Sequence, residues 1–400
     1  MKGKLLKSMG VLTGATLFSQ VLNFILLPIY TRLYSPEDFE LFAIFVSVIS
    51  ILIVISSFRF EIFVPRASES EAKLLLVLSI SISMFFCFFV YILGVLLESY
   101  ISKDIYEVWF LICFVGVAYS ISNSMYMYFV SKDWFGKIAF SRIFQSLVSN
   151  GTQLSLAYTS IKSLGLVFGY LSMHACSSLY MIYNSKINLR DIKFCDLKKT
   201  FYLYKRRAKL SLLEGIMDVA SYQLPILIIG LKDDKAGFVF IAMKIINIPV
   251  AMFSQSFSSV TYSKLCKIQD VYDVKRNAIR FAKLSFLISL FIIFSLGTSS
   301  YFLIDIFLGH EWALVKDIII KMLPGVLLYL FFSSNSKLFY VFSLEGFLSI
   351  LNTVGFIVRV MPILIISYVN ISYSLVDVFI FTFTMHYLIL SLSIVNILRR

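Results

Sequence analysis

Residues 349–367 read SILNTVGFIVRVMPILIIS, a run that is apolar or small at every position except one basic residue and one asparagine. A helix needs about 20 apolar residues to cross a bilayer, and this run comes close to that length. Arg359 falls near its middle. A charge at the centre of a membrane helix costs about 2.5 to 3.5 kcal/mol on insertion scales, so it usually faces a polar cavity and marks a pathway. The run predicts a membrane helix, and its arginine indicates transport.

The composition of the whole chain favours the same class. Hydrophobic residues make up 59% of the 400 residues and charged residues only 15%, whereas soluble domains have roughly 25% charged residues. Candidate spans can be marked along the whole chain at 11–33, 40–64, 74–97, 106–130, 142–160, 164–184, 209–231, 237–262, 283–307, 318–343, 346–368 and 374–397. The predicted fold is an all-α integral membrane protein with about 12 transmembrane helices.

The positive charge is distributed in a way that predicts orientation. The net charge is +13, and most of the 36 Lys and Arg residues lie in alternate connecting segments, including the dense run 186–209. The positive-inside rule assigns these segments, and with them both termini, to the cytoplasm. A basic connector beside anionic headgroups accounts for this run. Nucleic-acid binding is not needed to explain the charge, and no nucleic acid is expected as a partner.

Metal, disulfide and nucleotide signatures are missing from the sequence. The five cysteines are scattered without a C-x-x-C pair, so neither a disulfide framework nor a zinc site is indicated. There is no Walker A loop, and direct use of ATP is not predicted. The predicted outer loops are all short, which favours movement of a substrate over chemistry on it. No cofactor is expected.

A weak internal repeat divides the chain into two halves. Pro28 is followed by the motif ELFAI from Glu40, and Pro225 is followed at the same spacing by GFVFI from Gly237. A duplicated unit of six spans keeps its orientation, which gives a pseudo-two-fold axis along the membrane normal and a site between the halves. The predicted parts are a six-helix lobe at 1–190, a basic cytoplasmic connector at 191–208 and a second six-helix lobe at 209–400.

Three predicted spans carry a polar stripe on one helical face. The stripes are Thr13, Thr16, Gln20 and Asn23 on span 1; Glu214, Asp218, Ser221 and Pro225 on span 7; and Asn352, Gly355, Arg359 and Pro362 on span 11. Polar stripes avoid lipid, so these faces are expected to turn inward. Hydrogen bonding between helices explains the Ser, Thr and Asn residues, but it does not explain the charged ones.

Four charged residues inside predicted spans are the principal site candidates: Glu214, Asp218, Lys244 and Arg359. A cavity-lining role, a buried structural ion pair and snorkelling to the surface all remain open for them. Lys244 lies near the outer end of span 8, where its stem could reach the surface, whereas Arg359 is close to mid-bilayer. The mid-span residues His174 and His386 could titrate near neutral pH or simply bond neighbouring helices.

A second basic region lies near the cytoplasmic end of span 2, where Arg59 and Glu61 share a side with Arg66 and Arg142. Guanidinium binds phosphate through two donors at once, which suits a diphosphate. The predicted substrate-binding residues are Arg59, Lys244, Arg359, Gln20, Asn23 and Asn352. Glu214 and Asp218 are predicted to couple transport to a proton or sodium gradient.

Several motifs, in this order along the chain, carry a resemblance to a known family. They are Leu27-Pro28 through Thr31-Arg32-Leu33-Tyr34-Ser35-Pro36-Glu37-Asp38-Phe39, then Phe58-Arg59-Phe60-Glu61-Ile62 with Pro65 and Glu71-Ala72, then Gly165 with Gly169, Gln223-Leu224-Pro225 and Ala236-Gly237-Phe238. The chain resembles the polysaccharide transporter family, the Wzx-type flippases of the multidrug/oligosaccharidyl-lipid/polysaccharide superfamily. Glu40 stands where that family usually has glycine.

The resemblance implies a flippase that moves an undecaprenyl-diphosphate-linked oligosaccharide, an O-antigen or capsule repeat unit, from the cytoplasmic to the periplasmic leaflet by alternating access. It implies a place in the bacterial inner membrane, contact with membrane lipids, and the polysaccharide polymerase machinery as a partner in lipopolysaccharide or polysaccharide biosynthesis. A drug or cation antiporter of the same superfamily is one alternative, and it would want a cavity dominated by carboxylates. A membrane glycosyltransferase or polymerase is the other.

Overall fold

The computed structural model describes residues 2–100, 103–185, 187, 192–266, 268, 270–342, 344–369 and 374–399. Within these residues the chain is helical and contains no β-strand. Among the described residues, ten helices are long and apolar enough to cross a membrane. The predicted all-α membrane fold is therefore confirmed.

The chain packs as two compact units, Met1–Val219 and Ala220–Arg400. The helices that begin in the first unit are α1 (Lys2–Leu33), α2 (Pro36–Ser56), α3 (Glu69–Leu96), the short α4 (Lys103–Glu107), α5 (Trp109–Ser131), α6 (Phe135–Leu156), α7 (Gly165–Ser185) and α8 (Phe194–Lys232). The second unit takes the end of α8 and then α9 (Ala236–Leu265), α10 (Val271–Leu308), α11 (Ala313–Asn335), the short α12 (Leu338–Val341), α13 (Glu345–Val369) and α14 (Leu375–Arg399).

The division between the units lies inside α8, whereas the sequence analysis places a connector at 191–208. The predicted boundary at 190/191 lies outside the described residues, as do Lys186, Arg190 and Arg400 and the side chains of Thr13 and Arg66. From Phe194 onward the basic segment is the first part of α8. Lys and Arg are good helix formers, so the charges do not interrupt the helix.

The start of α8 also has an apolar face that holds it against the N-terminal unit. Phe201 packs on Phe60 with ring centroids 5.6 Å apart, and Tyr204 packs on Phe63 at 5.4 Å. Ala208 is buried in the same hydrophobic cluster. Burial of this face explains why a run rich in cations is an ordered helix and not a solvated loop.

A well-formed cap fixes the sharp turn between α1 and α2. Ser35 has extended backbone angles, and its hydroxyl accepts a hydrogen bond from the Asp38 amide at 3.4 Å. The Asp38 carboxylate accepts in return from the Ser35 amide at 3.0 Å. Pro36 follows directly in the first turn, where its missing N–H has no cost. The motif Ser-Pro-Glu-Asp therefore starts α2 at one defined residue.

Small polar side chains join the helices of the N-terminal unit. Ser79 on α3 bonds Ser124 on α5 at 2.8 Å, and Ser141 on α6 bonds Ser177 on α7 at 2.9 Å. Such residues let helix backbones approach closely, and their hydroxyls are satisfied across the contact. The serines of this unit thus act as links between helices.

The second helix ends earlier than the sequence predicts. Span 2 is expected at 40–64, but α2 ends at Ser56 and a 3-10 helix covers Phe60–Arg66. Phe58 and Arg59 between them have φ angles of 50° and 60°, in the left-handed region that side chains other than glycine rarely adopt. Apolar residues continue past Ser56, so hydropathy alone does not locate this turn.

Candidate functional site

Arg359 lies on the face of α13 that packs against α14, in the C-terminal unit. One turn earlier on the same face, Gly355 meets the ring of His386, and a Cβ at this glycine would collide with that ring. The two helices approach closely because position 355 has no side chain. This close approach brings the guanidinium of Arg359 among the aromatic residues of α14.

The Arg359 guanidinium is enclosed by three rings, which we call the aromatic cage: Tyr222, Phe383 and Tyr387. Its Cζ lies 4.0 Å from the centroid of Tyr222, 4.8 Å from that of Phe383 and 5.2 Å from that of Tyr387. Only 1% of the residue is exposed. The cage explains how a full charge is held in the interior of the unit without an adjacent carboxylate.

The described part of the chain leaves the nitrogen atoms of Arg359 without hydrogen-bond acceptors. Its Nε, Nη1 and Nη2 atoms have no hydrogen-bond partner among the described residues. Each buried donor left unpaired costs about 1 to 3 kcal/mol, and arginine has five N–H groups. Three cation–π contacts at about 2 kcal/mol each offset the lower end of that cost but well under half of the upper end. The site is therefore electrostatically incomplete until an acceptor, best an anion, reaches it.

Hydrogen bonds and ring contacts extend the cage toward α9 and α11. The hydroxyls of Tyr222 and Tyr387 are hydrogen-bonded to each other. Tyr387 packs on Tyr329 of α11 with centroids 4.5 Å apart, and the Tyr329 hydroxyl donates to Asn247 Oδ1 at 3.4 Å. Polar groups thus run from Arg359 to α9, where Lys244 lies one turn before Asn247.

A second polar group, which we call the charged cluster, lies in the N-terminal unit and consists of the charged residues Arg59, Glu61 and Arg142 with the neutral amide of Asn123. Asn123 Nδ2 donates to Glu61 Oε1 at 3.4 Å, and Glu61 is 4% exposed. Glu61 Oε2, Arg59 Nε and Arg142 Nε are buried without hydrogen-bond partners in the described chain. This cluster contains both signs of charge, in contrast to the aromatic cage.

Backbone geometry directs Arg59 toward α8. Its left-handed φ of 60° follows the end of α2, and its guanidinium packs against Gly215, where an added Cβ would lie 3.0 Å from Arg59 Cζ. Unfavourable backbone angles of this kind cost about 1 to 3 kcal/mol and persist when the surrounding structure fixes them. The tight fit at Gly215 shows that the packing around Arg59 is closely defined.

The remaining predicted site residues take several positions. Asn23 Oδ1 accepts from Asn150 Nδ2 at 2.8 Å, so this side chain links α1 to α6. Gln20, Lys244 and Asn352 are partly buried on α1, α9 and α13. Glu214 and Asp218 are exposed on α8. The structure thus places Arg359 among aromatic rings, and the substrate-binding and ion-coupling roles of all these residues, Arg359 included, stay predictions.

The two mid-span histidines are buried in different surroundings. His174 lies between the rings of Tyr119 and Tyr170, at centroid distances of 4.8 and 4.9 Å, and its Nδ1 is 3.5 Å from the Ser122 hydroxyl. Neither ring nitrogen of His386 has a hydrogen-bond partner in the described residues. Since His386 adjoins Arg359 through Gly355 and Tyr387, it belongs to the same site.

Sequence reasoning missed the aromatic cage. Tyr222 follows Ser221 of the predicted span 7 stripe, and Tyr387 follows His386, so both stand beside residues that hydropathy singled out. Aromatic residues make up 16% of the chain, however, and no pattern distinguishes these three from the rest. Buried Glu61 was noted only as a neighbour of Arg59.

Comparisons with known proteins agree with the predicted family. A family model described as "polysaccharide biosynthesis protein" matches residues 29–317. No curated protein matches the chain by sequence.

Several solved structures share the fold of this chain. A structure described as lipid II flippase MurJ in an inward closed conformation has a TM-score of 0.73 at 14% identity, covering 97% of this chain and 87% of that chain. An inward-facing multidrug resistance MATE transporter of the MOP superfamily has a TM-score of 0.64 at 14% identity, covering 95% and 94%. A eukaryotic MATE transporter gives 0.59 at 10% identity, covering 98% and 95%. At 10 to 14% identity, these likenesses show a shared fold.

Proposed function

Since the chain belongs to the polysaccharide biosynthesis protein family, we propose that it is a flippase for an undecaprenyl-diphosphate-linked oligosaccharide. The substrate would be an O-antigen or capsule repeat unit, moved from the cytoplasmic to the periplasmic leaflet of a bacterial inner membrane. The charge distribution along the sequence supports cytoplasmic termini. The shared fold with a structure described as a lipid II flippase supports a lipid-linked substrate.

One observation carries the proposal: the buried, unpaired guanidinium of Arg359 in the aromatic cage. Arginine binds a diphosphate through two parallel hydrogen bonds, and such charge-assisted bonds are about twice as strong as neutral ones. An arriving diphosphate would provide the acceptors that the Arg359 nitrogens lack. The tyrosines of the cage offer flat faces and hydroxyls to the first sugars.

The charged cluster supplies two further guanidinium groups. Arg59 and Arg142 each have a buried Nε without a hydrogen-bond partner among the described residues, so each can still donate to an anionic ligand. Their position near the predicted cytoplasmic end of span 2 suits the first contact with a headgroup. We assign Arg59 to initial capture of the diphosphate and Arg359 to holding it deeper in the membrane.

Energy for directional transport would come from an ion gradient. Glu214 and Asp218 lie four residues apart on α8 and are exposed on the same face. Carboxylates at this depth are natural proton or sodium sites. Movement would proceed by alternating access, with no cofactor and with the polymerase machinery receiving the product.

A drug or cation antiporter of the same fold is the leading alternative. Such a protein would want a cavity dominated by carboxylates, whereas the buried carboxylate Glu61 of the N-terminal unit lies beside the guanidinium of Arg59. Within the described residues of the C-terminal unit, Arg359 is the buried side chain with a full charge, and it is a cation. This sign favours an anionic substrate. A glycosyltransferase or polymerase would lengthen the glycan, and labelled lipid-linked sugar distinguishes that outcome from simple transfer between leaflets.

Complementation of a surface-polysaccharide flippase deletion tests the proposal. Expression of this chain should restore surface polysaccharide and remove the lipid-linked intermediate that accumulates in the deletion strain. Identification of that intermediate by mass spectrometry would define the sugars. Failure to restore polysaccharide at normal protein levels, in every tested host whose repeat unit is known, would contradict the proposed substrate class.

A further inference from the structure

Two apolar grooves flank the second half of α14 in the C-terminal unit. The first, of about 750 Å³, lies against the start of α13 and is lined by Phe347, Leu351 and Leu392 among others. The second, of about 700 Å³, lies against α10 and α11 and is lined by Phe286, Val395 and again Leu392. We call them the α13 groove and the α10 groove. They share Leu392, which is 53% exposed.

Each groove has a cation on its lining. Lys275 belongs to the α13 groove, and Lys283 and Arg399 belong to the α10 groove. Lys275 Nζ donates to the Arg399 carbonyl oxygen at 3.1 Å, which joins the basic ends of the two grooves. Lys275 retains two further N–H donors for another acceptor. Lys275 and Arg399 therefore mark a common basic end of the two grooves, and Lys283 lies about two turns further along α10.

The α10 groove is about as long as one leaflet is thick. Its lining on α14 runs from Leu388 to Arg399, which is about 16 Å at the rise of an α-helix, and the lining of the α13 groove on the same helix runs from Ile389 to Ile397, about 12 Å. The hydrocarbon core of a bilayer is about 30 Å thick, so the longer of these lengths corresponds to one leaflet. At 38 residues α10 is longer than the core requires, so we expect its first turns, with Lys275, to extend beyond the hydrocarbon on the basic side.

We propose that the two grooves hold the two acyl chains of one anionic phospholipid, whose phosphate is bound by Lys275 and Lys283. A prenyl diphosphate has a single chain and would leave one groove open. A zwitterionic lipid would place its own cation beside the two lysines, and the like charges would repel each other. The inference concerns a resident lipid and does not depend on the proposed substrate.

Lipid retention tests this site directly. The full chain is purified in nanodiscs of one part phosphatidylglycerol to four parts phosphatidylcholine, transferred to mild detergent and analysed by native mass spectrometry. Wild-type protein should retain one phosphatidylglycerol. Each interfacial cation strengthens binding to anionic lipid about fivefold, so Lys275→Ala/Lys283→Ala should lower its affinity roughly twenty-five-fold. Arg276→Ala/Arg280→Ala removes the same charge from the same helix outside the groove linings and should retain the lipid.

A second variant keeps the test independent of charge. Leu392→Trp fills the wall shared by both grooves and should also abolish retention, while its thermal midpoint in phosphatidylcholine alone stays near the wild-type value because the position is largely exposed. Equal retention by wild type and both variants would overturn the proposal. So would equal retention of phosphatidylcholine, or displacement of phosphatidylglycerol by undecaprenyl phosphate, which would assign the grooves to the transported lipid.

Discussion

The Cζ atom of Arg359 lies 4.0 Å from the centroid of the Tyr222 ring. This contact joins the end of α8 to the middle of α13 within the C-terminal unit, and it places the buried charge on an aromatic face instead of beside a carboxylate. A cation–π contact of a desolvated arginine contributes about 2 kcal/mol and leaves the N–H groups in the ring plane of the guanidinium free to bind an anion. Tyr222 thus stabilises Arg359 without occupying its donors.

The packing of Gly355 against His386 gives a first prediction. Gly355→Ala should destabilise the protein by about 1 to 3 kcal/mol, because the new methyl group overlaps a ring in a filled space. His386→Ala in the same chain should recover much of that loss, since it empties the space that the methyl group needs. Urea unfolding midpoints in detergent measure both effects. Additive losses in the double variant would contradict the contact.

Tyr387 contributes to the cage through its ring more than through its hydroxyl. Tyr387→Phe should cost about 0.5 to 1.5 kcal/mol, the usual contribution of a hydrogen bond, here the bond to Tyr222. Tyr387→Ala should cost about 3 to 5 kcal/mol, as expected for truncation of a buried aromatic ring. Tyr368→Phe, at a position 89% exposed on α13, is the control and should be neutral. Equal losses for Phe and Ala would show that the ring contacts are unimportant.

The cap at the start of α2 predicts a stability effect far from the site. Ser35→Ala removes the side-chain acceptor of the Asp38 amide and should cost about 1 kcal/mol, whereas Ser35→Gly should cost only a few tenths. The same unfolding measurement distinguishes these values. An alanine variant as stable as wild type would mean that the capping box does not hold the turn between α1 and α2.

The proposed ion coupling is tested with Glu214→Gln/Asp218→Asn. In proteoliposomes, wild-type transport should rise with an imposed proton or sodium gradient, and the double variant should lose that response because neutral amides do not take up the ion. Asp233→Asn, which alters a carboxylate paired with Lys235 at 3.4 Å after α8, is the matched control. Transport by the double variant that still follows the gradient would exclude these two residues.

The helices could be predicted from the sequence because apolar runs of about 20 residues have few alternatives in a bilayer. Their ends were less predictable. Hydropathy predicts that span 2 continues through Phe58 and Arg59, but the chain turns at these two residues with left-handed backbone angles. Residues 191–208 are predicted as a connector, and from Phe194 onward they form the start of α8. Ring contacts hold this part of α8, and a hydropathy profile contains no information about such contacts.

The site was predictable in part for a similar reason. Arg359 stands out because a charge in an apolar run is rare and costly. Its partners do not stand out, since Tyr222 and Tyr387 are aromatic residues among many, and they come together only through packing of helices distant in sequence. A polar residue in a predicted span can also be a link between helices. Asn23, which is predicted to bind substrate, accepts a hydrogen bond from Asn150 on a neighbouring helix.

Substrate binding by Arg359 is tested by the transfer rate of an undecaprenyl-diphosphate-linked oligosaccharide between the leaflets of proteoliposomes. The proteoliposomes contain the Arg359→Ala variant, the Arg359→Lys variant or wild-type protein. Lys321→Ala, which breaks an exposed ion pair with Asp377, is the control for loss of a cation. We expect the alanine variant to be slower by about ten- to a hundredfold, since charged hydrogen bonds contribute about 1.5 to 3 kcal/mol. The lysine variant should be intermediate, because it keeps the charge but loses the two-donor geometry. Wild-type rates in the Arg359→Ala variant, with correctly folded protein at equal amounts, would contradict the account.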